Sequence, residues 1–408
     1  MQSLGLGRLE GGDDVVTGIE IDSRRTAPGD LFVAVGGGVE HAADARARGA
    51  ATLVPDDAFT ALAALGRAVR ARTPARVVAI TGSVGKTSTK DILAALLRPH
   101  VSLVAAEDGF NNEVGLPLTL CRIEPETEVV VTEMGMRGLG QIRALAAVAR
   151  PHVGLITAIA PVHLELLGSL ENVARAKAEL LESLPPGGIA VLPADAPALE
   201  RFVPAGLDVR RFGPPDADVR AGVTTVRFRG REVRFGFEAR HQAANAAAAL
   251  TVCEALEVPL PDGVVEVAFS RLRSQESELP GGGLLINDAW NANPVAMRAA
   301  LAHLRERAAG RRTVAILGEM AELGAQAPRF HAEIGREAEA VDVVLGVGAL
   351  ARGYRPDVWA ADAHEAVSLA REVVRPGDAV LVKASRAVGL EVVAQALAGS
   401  GRPMKSVQ

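Results

Sequence analysis

The stretch that decides the fold is Arg76-Val77-Val78-Ala79-Ile80-Thr81-Gly82-Ser83-Val84-Gly85-Lys86-Thr87-Ser88. Its β-branched beginning predicts a buried strand, its glycines predict a tight turn, and the residues that follow, Thr89–Arg98, predict a helix. A glycine-rich turn between a strand and a helix points backbone N–H groups inward. There they can cradle phosphate oxygens beside the positive end of the helix. In this frame Lys86 reaches the β- and γ-phosphates of a nucleotide, and the Thr87 hydroxyl can ligate Mg²⁺.

This stretch therefore predicts a phosphate loop, although it departs from the general pattern at one position. Ile80 stands where that pattern has its first glycine, and the first glycine here comes at Gly82, so the loop is shortened. The competing interpretation is a plain Gly/Ser turn between strand and helix, which the Gly-Lys-Thr sequence in this frame disfavours. The predicted nucleotide-binding residues of the loop are Gly82, Ser83, Val84, Gly85, Lys86, Thr87 and Ser88.

Strands and helices alternate on the C-terminal side of the loop. Strands are predicted at Val129–Val131 and Val153–Ile159, and helices at Gln141–Ala149, Leu170–Ser183 and Gln242–Leu256. After the polar, glycine-rich stretch Ser274–Gly283, strands are predicted at Leu284–Ile286, Thr313–Leu317, Val343–Val347 and Ala379–Val382. Helices between them are predicted at Pro294–Ala309, Phe330–Ala340 and His364–Val374. This alternation is typical of parallel sheets covered by helices.

The chain before the loop forms a separate block. A turn at Ala27–Asp30 leads into the predicted strand Leu31–Val35, and a helix predicted at Thr60–Arg72 ends before Thr73-Pro74. We therefore predict an α/β protein of three domains. Residues 1–74 form a small mixed α/β domain, residues 75–275 a central phosphate-loop domain with a mainly parallel sheet, and residues 276–408 a Rossmann-like α/β domain.

Composition excludes several classes of function. The 408 residues carry a net charge of −5 and only 3% aromatic residues, which argues against a nucleic-acid partner. The longest uncharged stretch, Pro151–Leu164, has fourteen residues, whereas a membrane helix needs about 20. The N-terminus has no signal-peptide pattern. The two cysteines, Cys121 and Cys253, lie far apart in apolar runs, which favours a reduced, cytoplasmic protein.

Lysine is rare in this chain. Of 44 basic residues only five are lysines, namely Lys86, Lys90, Lys177, Lys383 and Lys405. Arginine cannot be deprotonated in a protein, whereas lysine can be when its pKa is lowered. Each lysine is therefore a hint of chemistry that arginine cannot perform.

The shortened loop Thr81–Thr87 resembles the ATP site of the Mur ligases, ATP-dependent amide ligases of peptidoglycan synthesis. Other segments resemble this family in the expected order. They are Asp22–Arg24, Pro28–Ala34, Asn111-Asn112, Gly115–Thr119, Glu133–Gly135, His163–Glu165, Arg175–Glu179, Asn287–Pro294 and Gly318–Gly324. The last two segments are similar to the member that acts last, which adds D-alanyl-D-alanine to UDP-N-acetylmuramoyl-tripeptide. The resemblance implies that the first domain binds the UDP-sugar and that the reaction passes through an acyl phosphate.

Four segments depart from the pattern of this family. Val39-Glu40-His41 stands in place of Asp-Gly-His, Trp290 in place of tyrosine, and Ala384 in place of glycine. The segment Gly135–Gly140 matches more loosely than the rest. None of these changes removes a group that the ATP chemistry needs.

The resemblance also assigns roles to individual residues. The implied catalytic residues are Lys86, Lys177 and His163, and the implied ligands of two Mg²⁺ ions are Thr87, Glu133, His163 and Lys177. The resemblance also implies that Lys177 is carbamylated by CO₂. Carbamylation needs an unprotonated amine, which lysine can supply when its pKa is lowered and arginine cannot. Further contacts to ATP are implied for Asn245, Arg273 and Asp288. Substrate contacts are implied for Ser23, Arg24, Asn111, Asn112, Asn291, Asn293, Lys383, Ser385 and Arg386.

Taken alone, several of these residues allow an ordinary interpretation. Glu133 could be a solvated carboxylate at a strand end, His163 a structural histidine, and Lys177 a solvated helix lysine. Three other functions compete with the ligase: a folylpolyglutamate synthetase, a phosphate-loop switch or kinase, and a non-catalytic ATP-binding protein. The expected partners are UDP-N-acetylmuramoyl-tripeptide and D-alanyl-D-alanine, and the expected state is a monomer. The third residue of the acceptor peptide stays open.

Overall fold

The computed structural model describes residues 5–11, 15–220 and 222–399, so Lys405 lies outside the described residues. The first sheet is small and mixed, as predicted, with strand order β1-β4-β3-β2. Its strands are β1 (Gly7–Glu10), β2 (Gly18–Glu20), β3 (Asp30–Val33) and β4 (Ala51–Pro55), and its helices are α1 (Ala42–Ala47) and α2 (Ala58–Arg70). Strand β1 pairs antiparallel with β4, and the other pairs are parallel.

The central sheet has six strands, all parallel, in the order β10-β9-β8-β5-β7-β6. They are β5 (Arg76–Thr81), β6 (Leu103–Ala105), β7 (Val129–Glu133), β8 (Val153–Ile156), β9 (Ile189–Pro193) and β10 (Asp208–Phe212). The helices along this part of the chain are α3 (Lys86–Leu97), α4 (Gly115–Leu120), α5 (Gln141–Ala149), α6 (Leu164–Leu167) and α7 (Leu170–Glu182). The strand order reverses at β5, which leads directly into the phosphate loop. Crevices at such reversals, outside the carboxyl ends of the strands, are where open α/β sheets bind ligands.

A second, small sheet was missed by the sequence prediction. It comprises β11 (Asp216–Arg220), β12 (Val223–Phe228), β13 (Arg231–Phe235) and β14 (Val264–Val265). In β12 and β13 buried positions alternate with less buried ones, as where the exposed Arg227 separates the buried Val226 and Phe228. The buried side chains pack with helix α8 (Gln242–Ala255), which also contacts α3 and the strands β8, β9 and β10 of the central sheet. The predicted alanine-rich buried helix is therefore confirmed.

The C-terminal sheet has the order β15-β16-β20-β17-β18-β19, with β15 antiparallel to β16 and the other pairs parallel. Its strands are β15 (Gln275–Leu279), β16 (Gly283–Asp288), β17 (Thr313–Gly318), β18 (Val343–Val347), β19 (Val358–Ala360) and β20 (Ala379–Lys383). Its helices are α9 (Pro294–Ala308), α10 (Ala327–Ala338), α11 (Ala363–Val373) and α12 (Glu391–Ala398). Strand β15 lies within the polar, glycine-rich stretch Ser274–Gly283, where no strand was predicted.

Two element boundaries near the phosphate loop also differ from the prediction. Helix α3 begins at Lys86 instead of Thr89, because the loop residues Lys86, Thr87 and Ser88 form its first turn. Strand β8 ends at Ile156 instead of Ile159. The following residue, Thr157, donates its backbone N–H to the carbonyl of Thr81, and the chain then leaves the sheet over the loop. In the described ranges no helix is both long and apolar enough to cross a bilayer.

Candidate active site at the phosphate loop

A cavity of about 710 Å³ lies at the carboxyl edge of the central sheet, between this sheet and the C-terminal one. Sixteen residues predicted from the sequence line it: Ser83, Val84, Gly85, Lys86, Thr87, Ser88, Asn111, Asn112, Glu133, His163, Asn245, Arg273, Asp288, Asn291, Asn293 and Lys383. The predicted residues that do not line it are Gly82, Ser23, Arg24, Lys177, Ser385 and Arg386. The structure therefore brings the predicted nucleotide residues and much of the third domain's set to one place.

The two glycines of the loop permit close approaches by other segments. Gly82 has φ +151° and lies so close to Thr157 that a Cβ atom would overlap its hydroxyl. Gly85 has φ +81°, and a Cβ atom there would overlap the side-chain carbonyl of Asn245 on α8. Both conformations are left-handed, which residues with a Cβ rarely adopt. The loop can therefore take this shape only with glycine at these positions.

Lys86 is held over the loop. Its Nζ donates to the carbonyl oxygen of Gly82 at 3.0 Å. Desolvation lowers the pKa of Lys86, the nearby Glu133 opposes that effect, and Arg273 adds to it. A cationic side chain held among backbone donors is suited to bind polyphosphate.

Thr87 and Glu133 form the centre of a polar network. The Thr87 hydroxyl donates to Glu133 Oε2 at 2.8 Å, and Asn111 Nδ2 donates to Glu133 Oε1 at 2.9 Å. Arg273 Nη2 donates to the Thr87 hydroxyl at 3.1 Å. Its Nε is buried and has no acceptor among the described residues. A hydroxyl and a carboxylate in contact beside a phosphate loop are the oxygen ligands that suit Mg²⁺.

His163 contacts a residue of the third domain. It has φ +52°, and its Nδ1 forms a hydrogen bond with Glu322 from the segment after β17. Arg137 Nε lies 3.2 Å from the other oxygen of Glu322. The hydrogen bond to His163 lowers the pKa of Glu322. In the described ranges no three His, Cys, Asp or Glu side chains form a group that could hold a metal ion.

Lys177 lies on α7, does not line the cavity and is only 2% exposed. Burial lowers its pKa well below 10.5, and the charge of Lys86 lowers it further. The ordinary interpretation as a solvated lysine is therefore wrong. The hint from lysine rarity points here to a buried amine that loses its proton easily.

In the third domain Lys383 forms hydrogen bonds with other residues of the cavity wall. Its Nζ donates to Asp288 Oδ2 at 2.5 Å and to the carbonyl oxygen of Asn291 at 3.0 Å. Asn293 instead caps helix α9 by accepting from the backbone N–H of Ala296 at 3.0 Å, as its place before Pro294 predicts. Lys383 and Asn293 therefore shape the wall as well as facing the cavity.

The remaining predicted substrate residues have structural contacts. Ser385 Oγ accepts from the backbone N–H of Ala321 at 2.8 Å, and Arg386 lies over the indole of Trp290, 5.7 Å from its centroid. Asn112 Oδ1 accepts from the backbone N–H groups at the start of α4. In the first domain Arg24 pairs with Asp22, and Ser23 is buried beside it.

The sequence analysis missed several residues of the site. Thr157 and His241 line the cavity, as does Trp290, which was noted only as a departure. Burial, together with the neighbouring His303, lowers the pKa of His241 to about 4, so this ring is neutral at pH 7. Thr157 could have been found, because it lies near the carboxyl end of the predicted strand Val153–Ile159, and ligands bind at the carboxyl ends of parallel strands.

Comparison with known proteins adds independent findings. The Mur ligase middle domain matches residues 80–253, and the Mur ligase, glutamate ligase domain matches residues 271–386. A relative from Mycobacterium tuberculosis, UDP-N-acetylmuramoyl-tripeptide--D-alanyl-D-alanine ligase, is 38% identical over 95% of this chain and 94% of its own. The crystal structure of MurF from Acinetobacter baumannii matches with a TM-score of 0.84 and 26% identity over 96% of both chains. MurF from Thermotoga maritima in complex with ADP matches with a TM-score of 0.81 and 27% identity, over 93% of this chain and 96% of that one.

Proposed function

Since this chain belongs to the Mur ligase family, we propose that it joins D-alanyl-D-alanine to UDP-N-acetylmuramoyl-tripeptide and converts ATP to ADP and phosphate. One observation carries the proposal: the phosphate loop and the third domain's Asp288, Asn291 and Lys383 line the same cavity. The M. tuberculosis relative carries this activity in its name, and the T. maritima structure is a complex with ADP.

The chemistry requires that a carboxylate become a better electrophile. A carboxylate oxygen of the tripeptide attacks the γ-phosphorus, the bond to the β-phosphate oxygen breaks, and an acyl phosphate and ADP result. The amine of D-alanyl-D-alanine then attacks the acyl carbon, loses a proton, and expels phosphate. Lys86 and Arg273 hold positive charge where two anions must approach each other.

Two Mg²⁺ ions are part of this proposal. Thr87 and Glu133 would hold the first, and His163 and the carbamate of Lys177 the second. Such ions supply charge neutralisation at the reacting phosphate. The proposed carbamate forms when the neutral Lys177 amine bonds to CO₂ and releases a proton. The burial and lowered pKa of this amine support that step.

We further propose the domain roles and the substrate contacts. Residues 1–74 would bind the UDP-sugar through Ser23 and Arg24. Residues 75–275 would bind ATP, and residues 276–408 would complete the active site. Gly82, Ser83, Val84, Gly85, Ser88, Asn245 and Asp288 would contact ATP. Asn111, Asn112, Asn291, Asn293, Lys383, Ser385 and Arg386 would contact the peptide substrates.

The protein is also proposed to act as a cytoplasmic monomer. The use of ATP and the two free thiols, Cys121 and Cys253, support a reducing, ATP-containing compartment. Light scattering after size exclusion tests the monomer, because a dimer would double the mass of 42.4 kDa.

The deciding experiment measures phosphate release and product mass. UDP-N-acetylmuramoyl-tripeptides that differ in their third residue are each incubated with ATP, Mg²⁺ and D-alanyl-D-alanine. We expect phosphate release that depends on both peptides, together with a product whose mass is that of the joined substrates less water. Phosphate release with folate and glutamate instead would identify a folylpolyglutamate synthetase, and release that ignores the dipeptide would identify a phosphotransferase or hydrolase.

A further inference from the structure

Of the four lysines among the described residues, Lys90 alone has no role in the proposed function. It lies on α3 one turn after Lys86 and is only 5% exposed. Its Nζ donates to the carbonyl oxygen of Ala106 at 2.9 Å and lies 2.7 Å from Asp91 Oδ1. Adjacent helix residues point about 100° apart and do not normally face each other, so a contact between Lys90 and Asp91 is unusual.

Asp91 has a second partner in a distant part of the chain. Its Oδ2 accepts from the backbone N–H of Ser270 at 2.8 Å, and its Oδ1 accepts from the Ser270 hydroxyl at 3.2 Å. Ser270 lies three residues before Arg273, which reaches Thr87 in the phosphate loop. Asp91 therefore ties the segment that carries Arg273 to the helix that carries Thr87.

The backbone beside Arg273 needs such a tie. Leu272 has φ +59° and Ser274 has φ +47°, so a left-handed residue stands on each side of the arginine. Residues with a Cβ adopt this conformation only where surrounding contacts impose it. Asp91 supplies a contact on one side, and Asp288 Oδ1 accepts from the backbone N–H of Ser274 at 3.3 Å on the other.

Lys90 provides the matching contact on the opposite side of the network. Ala106 follows strand β6 and begins the segment that leads to Asn111, whose amide donates to Glu133. Two neighbouring helix residues therefore fix the starts of two segments. One segment delivers Asn111 to Glu133, and the other delivers Arg273 to Thr87.

We propose that the buried Lys90–Asp91 pair is a positioning device for the phosphoryl-transfer site, and that Asp91 acts through Arg273. This role rests on the proposed ligase function, because it concerns where Arg273 stands relative to the γ-phosphate. It predicts that loss of Asp91 weakens transition-state stabilisation more than it weakens the fold.

The competing explanation is that the pair only stabilises the protein. Removal of one partner leaves a buried charge unpaired, which destabilises a fold for reasons unrelated to Arg273. The double variant Lys90→Met/Asp91→Leu removes both charges and leaves neither of them unpaired, so it should be more stable than a variant that lacks only one partner. Its activity should stay low, because the ties to Ala106 and Ser270 are still missing.

The experiment is a double-mutant cycle between Asp91→Ala and Arg273→Ala. We expect Asp91→Ala to lower kcat/KM for ATP about 10- to 100-fold in the natural background and less than about threefold in the Arg273→Ala background. Thr89→Val is the matched control on the same helix, because the buried Thr89 hydroxyl has no partner among the described residues. This control should keep full activity.

The cycle is repeated on binding of the non-hydrolysable analogue AMP-PNP with Mg²⁺, measured by calorimetry. The proposal would be overturned if Asp91→Ala and Arg273→Ala act independently, so that in both measurements the double variant shows the product of the two single losses. Full activity of the Lys90→Met/Asp91→Leu variant would also overturn it. Failure of the proposed function shows separately, as a natural protein whose phosphate release ignores D-alanyl-D-alanine. In that case the AMP-PNP cycle alone decides whether Asp91 acts through Arg273.

Discussion

Replacement of Lys177 tests the carbamate most directly. Lys177→Arg places a permanent cation in a position that is 2% exposed and close to Lys86. Arginine stays charged and cannot be carbamylated, so we expect no measurable ligation. An unpaired buried charge costs several kcal/mol, so the variant should also be less stable by roughly 3 kcal/mol or more.

Lys177→Met separates charge from volume, and the sign of its effect follows from proton linkage. The pKa of Lys177 lies well below 10.5 in the folded protein, so between that lowered pKa and 10.5 folding releases the proton that the unfolded chain binds. This cost falls by about 1.4 kcal/mol for each pH unit between the lowered pKa and 10.5. Methionine binds no proton. The variant should therefore be more stable than the natural protein at pH 7, by a margin that shrinks as the pH rises.

The assays combine stability, turnover and a direct label. Urea unfolding is followed from pH 7 to 10 in CO₂-depleted buffer, and turnover is measured with added bicarbonate. ¹³C NMR after incubation with labelled bicarbonate should show a carbamate carbon in the natural protein and none in the variants. Lys177→Ala should regain part of its activity when formate or acetate supplies the missing anion. Arg175→Ala is the control, because this exposed residue lies two positions earlier on the same helix.

Two results would refute this reasoning. Near-normal turnover of Lys177→Arg would mean that only positive charge matters at this position. A Lys177→Met variant whose stability relative to the natural protein does not change with pH would mean that the buried amine keeps its proton.

Three further changes test other parts of the site. Lys86→Ala should lower the rate of phosphoryl transfer at least about 100-fold while the circular dichroism spectrum stays unchanged, because the side chain stabilises the charge of the phosphates and not the fold. Normal turnover of this variant would contradict the phosphate-loop interpretation. Gly85→Ala should lower the stability of the fold by about 1–2 kcal/mol, because its φ is left-handed, and should displace Asn245, so calorimetry should find weaker ATP binding. An unchanged affinity would contradict the close packing of Gly85 and Asn245. Glu322→Ala removes the contact with His163 between two domains, so small-angle scattering of the unliganded protein should show a larger radius of gyration. An unchanged radius would show that this contact does not hold the domains together.

The sequence was informative where local pattern and tertiary environment agree. The run Arg76–Ile80 and the glycines after it predicted strand, loop and helix, and the structure confirms all three. Buried parallel strands and amphipathic helices have strong periodicity, so most elements of the two large sheets were predictable. The small sheet was missed because strands such as Arg231–Phe235 are short and alternate buried with charged positions.

Contacts between distant segments could not be read from the sequence. His163 and Glu322 are 159 positions apart, and the local sequence around either residue does not indicate that the two form a hydrogen bond. Likewise, the tie between Asp91 and Ser270 depends on how the chain returns to α3 after the small sheet. Sequence motifs therefore predicted candidate site residues one by one, whereas the structure was needed to see which residues contact them.

The glycines of the loop illustrate why residue type alone does not identify a phosphate site. Gly82 and Gly85 are required by packing against Thr157 and Asn245, so a plain turn with these neighbours would also need them. What a plain turn would not need is a group of cations enclosed at the same edge. Lys86 has a lowered pKa, and Arg273 has a buried Nε without an acceptor among the described residues. A fold tolerates groups left so poorly solvated where they serve a function, and a polyanionic ligand would satisfy both.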